Sequence, residues 1–130
     1  VAGLSPPVGD VGGLLDRWAA EAPDRPFLTW APFDAPARSW SWAEFARDVA
    51  GLAASFRRAG VRPGDRVALV LPNHPGFLLA WTALCRLGAV AVCLNPRGSV
   101  DELGYVAGHS GPVGAVVSPE SAATVAAAMP

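Results

Sequence analysis

The stretch from Val61 to Arg97 constrains the fold more than any other part of this chain. Two short uncharged apolar runs, Val67-Ala-Leu-Val-Leu71 and Val90-Ala-Val-Cys-Leu94, flank a longer one, Phe77-Leu-Leu-Ala-Trp-Thr-Ala-Leu-Cys-Arg-Leu87. Strands buried on both faces read as continuous apolar runs, so the outer two are predicted as buried strands and the middle one as a helix. The helix carries its own punctuation. Asn73 is placed to cap it, Pro75 falls in the first turn and Gly88 follows the last. Strand, crossover helix and strand make a βαβ unit, so residues 67–71 and 90–94 are predicted to lie parallel and adjacent.

A bilayer span is the competing interpretation. Residues 67–85 contain no Asp, Glu, Lys or Arg, which is nominally long enough to cross a membrane. Pro72-Asn-His-Pro-Gly76 interrupts that run and would leave backbone groups unsatisfied in lipid, so a strand, a loop and a core helix fit better and no membrane span is predicted.

The flanking segments extend the same pattern. Residues 1–10, rich in Gly and Pro, are predicted as an irregular arm, and residues 11–130 as one α/β unit. Asp10 is placed to cap a helix reaching about Glu21, with Leu14, Leu15 and Trp18 on its apolar face. Pro26–Trp30 and Arg38–Trp42 are predicted to pair as a hairpin around a proline-containing loop. Ser41-Trp-Ala-Glu44 and Ser99-Val-Asp-Glu102 are capping boxes, each opening a helix. In the first of these helices Phe45, Val49, Leu52, Ala53 and Phe56 share one face. Val113–Val117 reads as a third buried strand, and Ser118 as the cap of a last helix with Pro119 in its first turn. The fold class is therefore α/β: a doubly wound parallel sheet with a small antiparallel hairpin.

Composition narrows the function. A net charge of −1 gives no bulk attraction to nucleic acid or to anionic membranes. The 52% apolar and 16% charged residues suit a domain that hides surface against something else. All ten basic residues are Arg, so no step can use a lysine of this chain. Cys85 and Cys93 lie in apolar runs and read as reduced core thiols, which points to a cytoplasmic protein. No signal peptide is visible at Val1, and the chain opens without an initiator Met.

In an open parallel sheet, ligands collect at the carboxyl ends of the strands. Pro72-Asn73-His74, Asn95-Pro96-Arg97 and Ser118-Pro119 end there. A helix opening at Pro75 turns its positive end towards that edge, and Arg97 adds a full charge with a planar fork of donors, a combination that favours an anion such as phosphate. The alternative for Arg97 is a solvated loop arginine. His74 could serve as a base or phosphate donor, although a histidine at a helix start more often bonds locally. The sequence holds no Gly-rich phosphate loop with Lys, no G-x-G-x-x-G, no G-x-S-x-G and no metal-ligand cluster.

Five segments in order carry a family resemblance: Ser41-Trp-Ala-Glu-Phe45, Gly60-Val-Arg-Pro-Gly-Asp-Arg-Val-Ala68, Leu71-Pro-Asn73, Cys85-Arg-Leu-Gly-Ala-Val90 and Leu94-Asn-Pro-Arg97. From about Val11 to Ser118 the chain resembles the N-terminal part of adenylate-forming enzymes, which include acyl-CoA synthetases, peptide-synthetase adenylation domains and luciferases. Asn95-Pro96 looks more like the acyl-CoA synthetase branch. The resemblance implies an ATP-dependent ligase: a carboxylate attacks the α-phosphorus of ATP, with magnesium, and coenzyme A then displaces AMP to form a thioester. It also implies that Arg97, matching the Arg after Asn-Pro, lies near the coenzyme A phosphates. The family's phosphate loop, ribose-binding Asp, Thr-Glu pair and C-terminal lysine have no counterpart here, so no catalytic residue is assigned. The expected partners are a small-molecule carboxylate and the remainder of the AMP-binding domain, supplied in the same chain or by another. Two alternatives stand beside this: a non-enzymatic docking half of a split ligase, and a free-standing α/β nucleotide-binding module.

Overall fold

A computed structural model describes residues 9–129. The element order is α1 (Val11–Glu21), β1 (Pro26–Trp30), β2 (Arg38–Ser41), α2 (Trp42–Arg58), β3 (Arg66–Val70), α3 (Pro75–Leu87), β4 (Val90–Cys93), α4 (Val100–Ser110), β5 (Gly114–Val117), a single 3-10 turn (Pro119–Ser121) and α5 (Ala122–Ala128). The predicted irregular arm falls almost wholly outside the described residues.

Three parallel strands form the main sheet in the order β4-β3-β5. The central strand β3 is buried from Val67 to Val70 and divides its side chains by the period of two. Val67 and Leu69 pack with Ala80 and Leu84 of α3, and with Leu52 and Phe56 of α2. Ala68 and Val70 pack the other way, with Leu94, Leu103 of α4 and Val125 of α5. Helices thus cover both faces, as a doubly wound sheet requires. The predicted parallel pairing of the two central strands holds, with Val67 opposite Ala91 and Leu69 opposite Cys93. Strands β1 and β2 form the separate antiparallel hairpin, in which Leu28 faces Trp40.

A second core lies under α1, α2 and the hairpin. Leu15, Trp40, Phe45, Val49, Ala53 and Ala83 are buried together there. The Phe27 ring meets Phe45 edge-on at 4.8 Å and Trp42 at 4.1 Å. Trp40 donates from its indole N–H to Asp48 at 3.1 Å, and the Arg38 guanidinium stacks 4.1 Å from the centre of its ring.

Both capping boxes close reciprocally. The Ser41 hydroxyl accepts from the Glu44 amide while Glu44 accepts from the Ser41 amide, and Ser99 and Glu102 repeat the arrangement. Each serine satisfies an otherwise orphaned amide. Ser41→Ala and Ser99→Ala are each expected to cost about 1 kcal/mol of stability by urea titration, and the two losses should add because the boxes share no partner.

Several expectations need correction. The cap of α3 is His74 rather than Asn73: its Nδ1 accepts from the Gly76 amide at 3.1 Å, because a histidine ring nitrogen reaches an amide two residues ahead as well as a short side-chain amide does. Strand β5 is not buried. Gly114 and Ala115 are exposed and Val113 is 61% exposed, since no further strand or helix covers that side among the described residues. Strand β4 is half open for the same reason, with Val90 exposed. Ser118 makes no cap: the 3-10 turn intervenes before α5. On α1, Leu15 is buried but Leu14 lies at the surface.

Candidate functional site at the carboxyl ends of the strands

The loops after β3 and β4 lie side by side, as predicted from the parallel pairing. Leu71, Pro72 and Asn73 form one wall of an open groove of about 440 Å³, and Asn95, Pro96 and Arg97 form the other. The groove follows from topology: the chain leaves β3 towards the α3 face and leaves β4 towards the α4 face, so the loops part and open a crevice between them.

Local bonds hold the Arg97 loop. The Asn95 side-chain oxygen accepts from the Arg97 amide at 3.0 Å, and the Asn95 carbonyl accepts from Gly98 at 3.0 Å. A Cβ at Gly98 would sit 3.1 Å from both the Asn95 carbonyl oxygen and Leu103 Cδ2, so this close approach selects glycine. Ser99 then caps α4 at once. Asn95 therefore holds the loop.

The third strand-end loop reinforces the second from beneath. Buried Ser118 donates to the Ser121 hydroxyl at 3.2 Å, and Ser121 donates to the Pro96 carbonyl at 3.2 Å. No sequence pattern signals this link, because it joins residues 25 positions apart through a 3-10 turn that reads as an ordinary helix start. Ser118 and Pro119 themselves stay out of the groove.

The Arg97 side chain is exposed and takes part in no ion pair among the described residues. Its charge is therefore uncommitted, on the wall of the groove that faces Leu71, Pro72 and Asn73. His74 is used locally, bonded to Gly76 and with its ring edge-on to Trp30 at 5.6 Å. It also lines a smaller apolar pocket of about 310 Å³ with Leu28, Trp30 and Phe77, which adjoins the groove through Asn73. The hairpin's approach to the strand ends was not legible in the sequence. Neither thiol enters the groove; Cys85 lies on α3, where burial pushes its pKa up.

A polar groove with one guanidinium unpaired among the described residues can hold an anionic group. It supplies no nucleophile and no base aimed at a reacting atom. The family model for AMP-binding enzymes matches residues 15–130. The chain belongs to the AMP-binding enzyme family. Feruloyl-CoA synthases from Amycolatopsis sp and Streptomyces sp are 49% identical over 87 residues, which is 67% of this chain and 18% of each of theirs. A crotonobetaine/carnitine–CoA ligase from Proteus mirabilis is 35% identical over 72 residues, 55% of this chain and 14% of that one. The chain thus spans less than a fifth of the length of these curated relatives. Among solved structures, the N-terminal domain of FACL13 from Mycobacterium tuberculosis superposes with a TM-score of 0.83 at 26% identity, covering 91% of this chain and 29% of that one. The likeness is to the N-terminal part of acyl-CoA synthetases, in agreement with the resemblance drawn from the five segments. No helix among the described residues is long and apolar enough to cross a membrane.

Proposed function

We propose that residues 11–130 are the opening α/β lobe of an ATP-dependent acid–thiol ligase of the acyl-CoA synthetase branch, incomplete as a catalyst by itself. The observation that carries this reading is the match of the AMP-binding family model to nearly the whole chain, supported by the open polar groove at the strand ends. The parent enzyme would join a small carboxylic acid to coenzyme A through an acyl-adenylate. Hydroxycinnamic acids come first among candidate acids, given the feruloyl-CoA synthase relatives.

Within that reaction the lobe has a binding role. Arg97 would hold a phosphate of coenzyme A at the groove, where a charged planar fork suits phosphate oxygens. Asn95, Gly98, Ser118 and Ser121 position the loop that carries the arginine. Magnesium would enter the reaction with ATP. A cytoplasmic location fits two thiols outside any disulfide.

The test is ATP–pyrophosphate exchange with a panel of aliphatic and aromatic acids. Residues 1–130 alone are expected to show none, and the polypeptide that includes the remainder of the ligase is expected to show it. Steady exchange by residues 1–130 alone overturns the reading.

The docking half of a split ligase remains a second reading, favoured by the exposure of Val113 just before β5 and of Ala115 on it. Gel filtration separates the two: a monodisperse monomer counts against a missing partner chain.

A further inference from the structure

We propose that His74 is a pH-sensitive latch: as a neutral ring it caps α3 and holds the groove wall opposite Arg97, and on protonation it releases that wall. The inference rests on the reading of the groove as the place where coenzyme A is held, and adds a way in which that site is regulated.

The cap of α3 differs in kind from the others. Helices α1, α2 and α4 are capped by side-chain oxygens of Asp10, Ser41 and Ser99. Helix α3 is capped by a ring nitrogen: His74 has extended backbone, and its Nδ1 accepts from the Gly76 amide at 3.1 Å. In the neutral ring the proton sits on Nε2 and the lone pair of Nδ1 can accept; in the charged ring both nitrogens are donors. Protonation therefore removes the bond and sets two N–H groups against each other. It also places a positive charge on the positive end of α3. The Phe77 amide stays bonded to the His74 carbonyl, so the change is confined to the first turn.

The surroundings leave the ring free to titrate and offer it no compensating partner. His74 is exposed, so protons reach it from solvent. Leu28 and Trp30 face it from β1, and Pro75, Phe77 and Leu78 from α3; no Asp, Glu, Lys or Arg lines this pocket. Asn73, the residue before the cap, belongs both to the pocket and to the groove wall, and the charged residue on the opposite wall is Arg97. Loosening the first turn of α3 thus loosens Asn73 and the wall that confines whatever Arg97 holds.

The experiment compares the wild type with His74→Asn in the ligase polypeptide that contains this lobe. The asparagine oxygen takes the place of Nδ1 and keeps its lone pairs at every pH used. Protection of the Gly76 amide against hydrogen exchange, corrected for the intrinsic effect of pH, and the KM for coenzyme A are measured at about pH 5.5 and about pH 8, near the two limits of the imidazole range. On acidification the wild-type protection is expected to fall about 5-fold, while that of His74→Asn stays within about twofold. The KM for coenzyme A is expected to rise about threefold more in the wild type than in His74→Asn; the comparison cancels the titration of the coenzyme's own phosphate, which falls in the same range. Parallel pH profiles of either quantity in the two proteins overturn the latch. A polypeptide without ATP–pyrophosphate exchange overturns the ligase reading instead, and the Gly76 protection then decides the latch by itself.

Discussion

Phe45→Ala is expected to lower the free energy of unfolding by about 3–5 kcal/mol, the usual cost of removing a buried aromatic ring. Phe45 is 2% exposed and sits where α2 meets α1, α3 and the hairpin. Its ring contacts the Phe27 ring edge-on, and Trp40, Val49 and Leu15 complete the pocket around it. The hairpin is two short strands apart from the main sheet, and two strands alone are marginal in water. Removing the ring therefore opens a cavity and also loosens the hairpin. Domains of this kind are stable by only about 5–15 kcal/mol, so the loss is a large share of the total. With urea m-values of about 1–3 kcal/mol/M, the midpoint should fall by at least about 1 M. A shift below a few tenths of a molar would mean that the ring does not organise this second core. Phe45→Leu, which keeps most of the volume, should recover most of the loss.

Arg97→Ala, in the parent ligase, is expected to weaken use of coenzyme A by about 10- to 150-fold in kcat/KM, the equivalent of about 1.5–3 kcal/mol for a hydrogen bond to a charged group. The change should appear as a higher KM for coenzyme A. ATP–pyrophosphate exchange should stay within about twofold, because the proposal gives the arginine no part in adenylation. Arg97→Lys keeps the charge and loses the fork, so it should recover only part of the affinity. Raised ionic strength should weaken coenzyme A binding in the wild type more than in Arg97→Ala, since one exposed charge pair has been removed. An unchanged KM for coenzyme A in Arg97→Ala would remove the arginine from the site and return it to the role of a solvated loop residue.

The parts of the fold that could be read from the sequence were those fixed by local chemistry. The reciprocal Ser–Glu caps, the left-handed Gly88 closing α3 and the uncharged run of β3 each follow from residues a few positions apart. What failed was decided at longer range. Val113–Val117 looked like a buried strand because an apolar run states a need for cover without stating whether the cover is present. Asn73 looked like the cap because its side chain is a favoured one, and the choice between it and His74 turned on where the helix dihedrals begin. At the candidate site, the adjacency of the Asn73 and Arg97 loops was legible from parallel pairing. The Ser121 bond to Pro96 was not, because no periodicity encodes a contact between two loops.

That bond bears on how an arginine catches an anion. The Arg97 loop is tied at Asn95 by its own side chain, at Pro96 from beneath and at Ser99 by the α4 cap. The backbone from which the guanidinium hangs is thus stiffened at three neighbouring points before any ligand arrives. If Arg97 captures a phosphate as proposed, only side-chain torsions are left to freeze, so less freedom is lost on association than from a floppy loop. A stiff mount also fixes the distance at which the charge is offered, so in the proposed role the groove would select for reach as well as for sign.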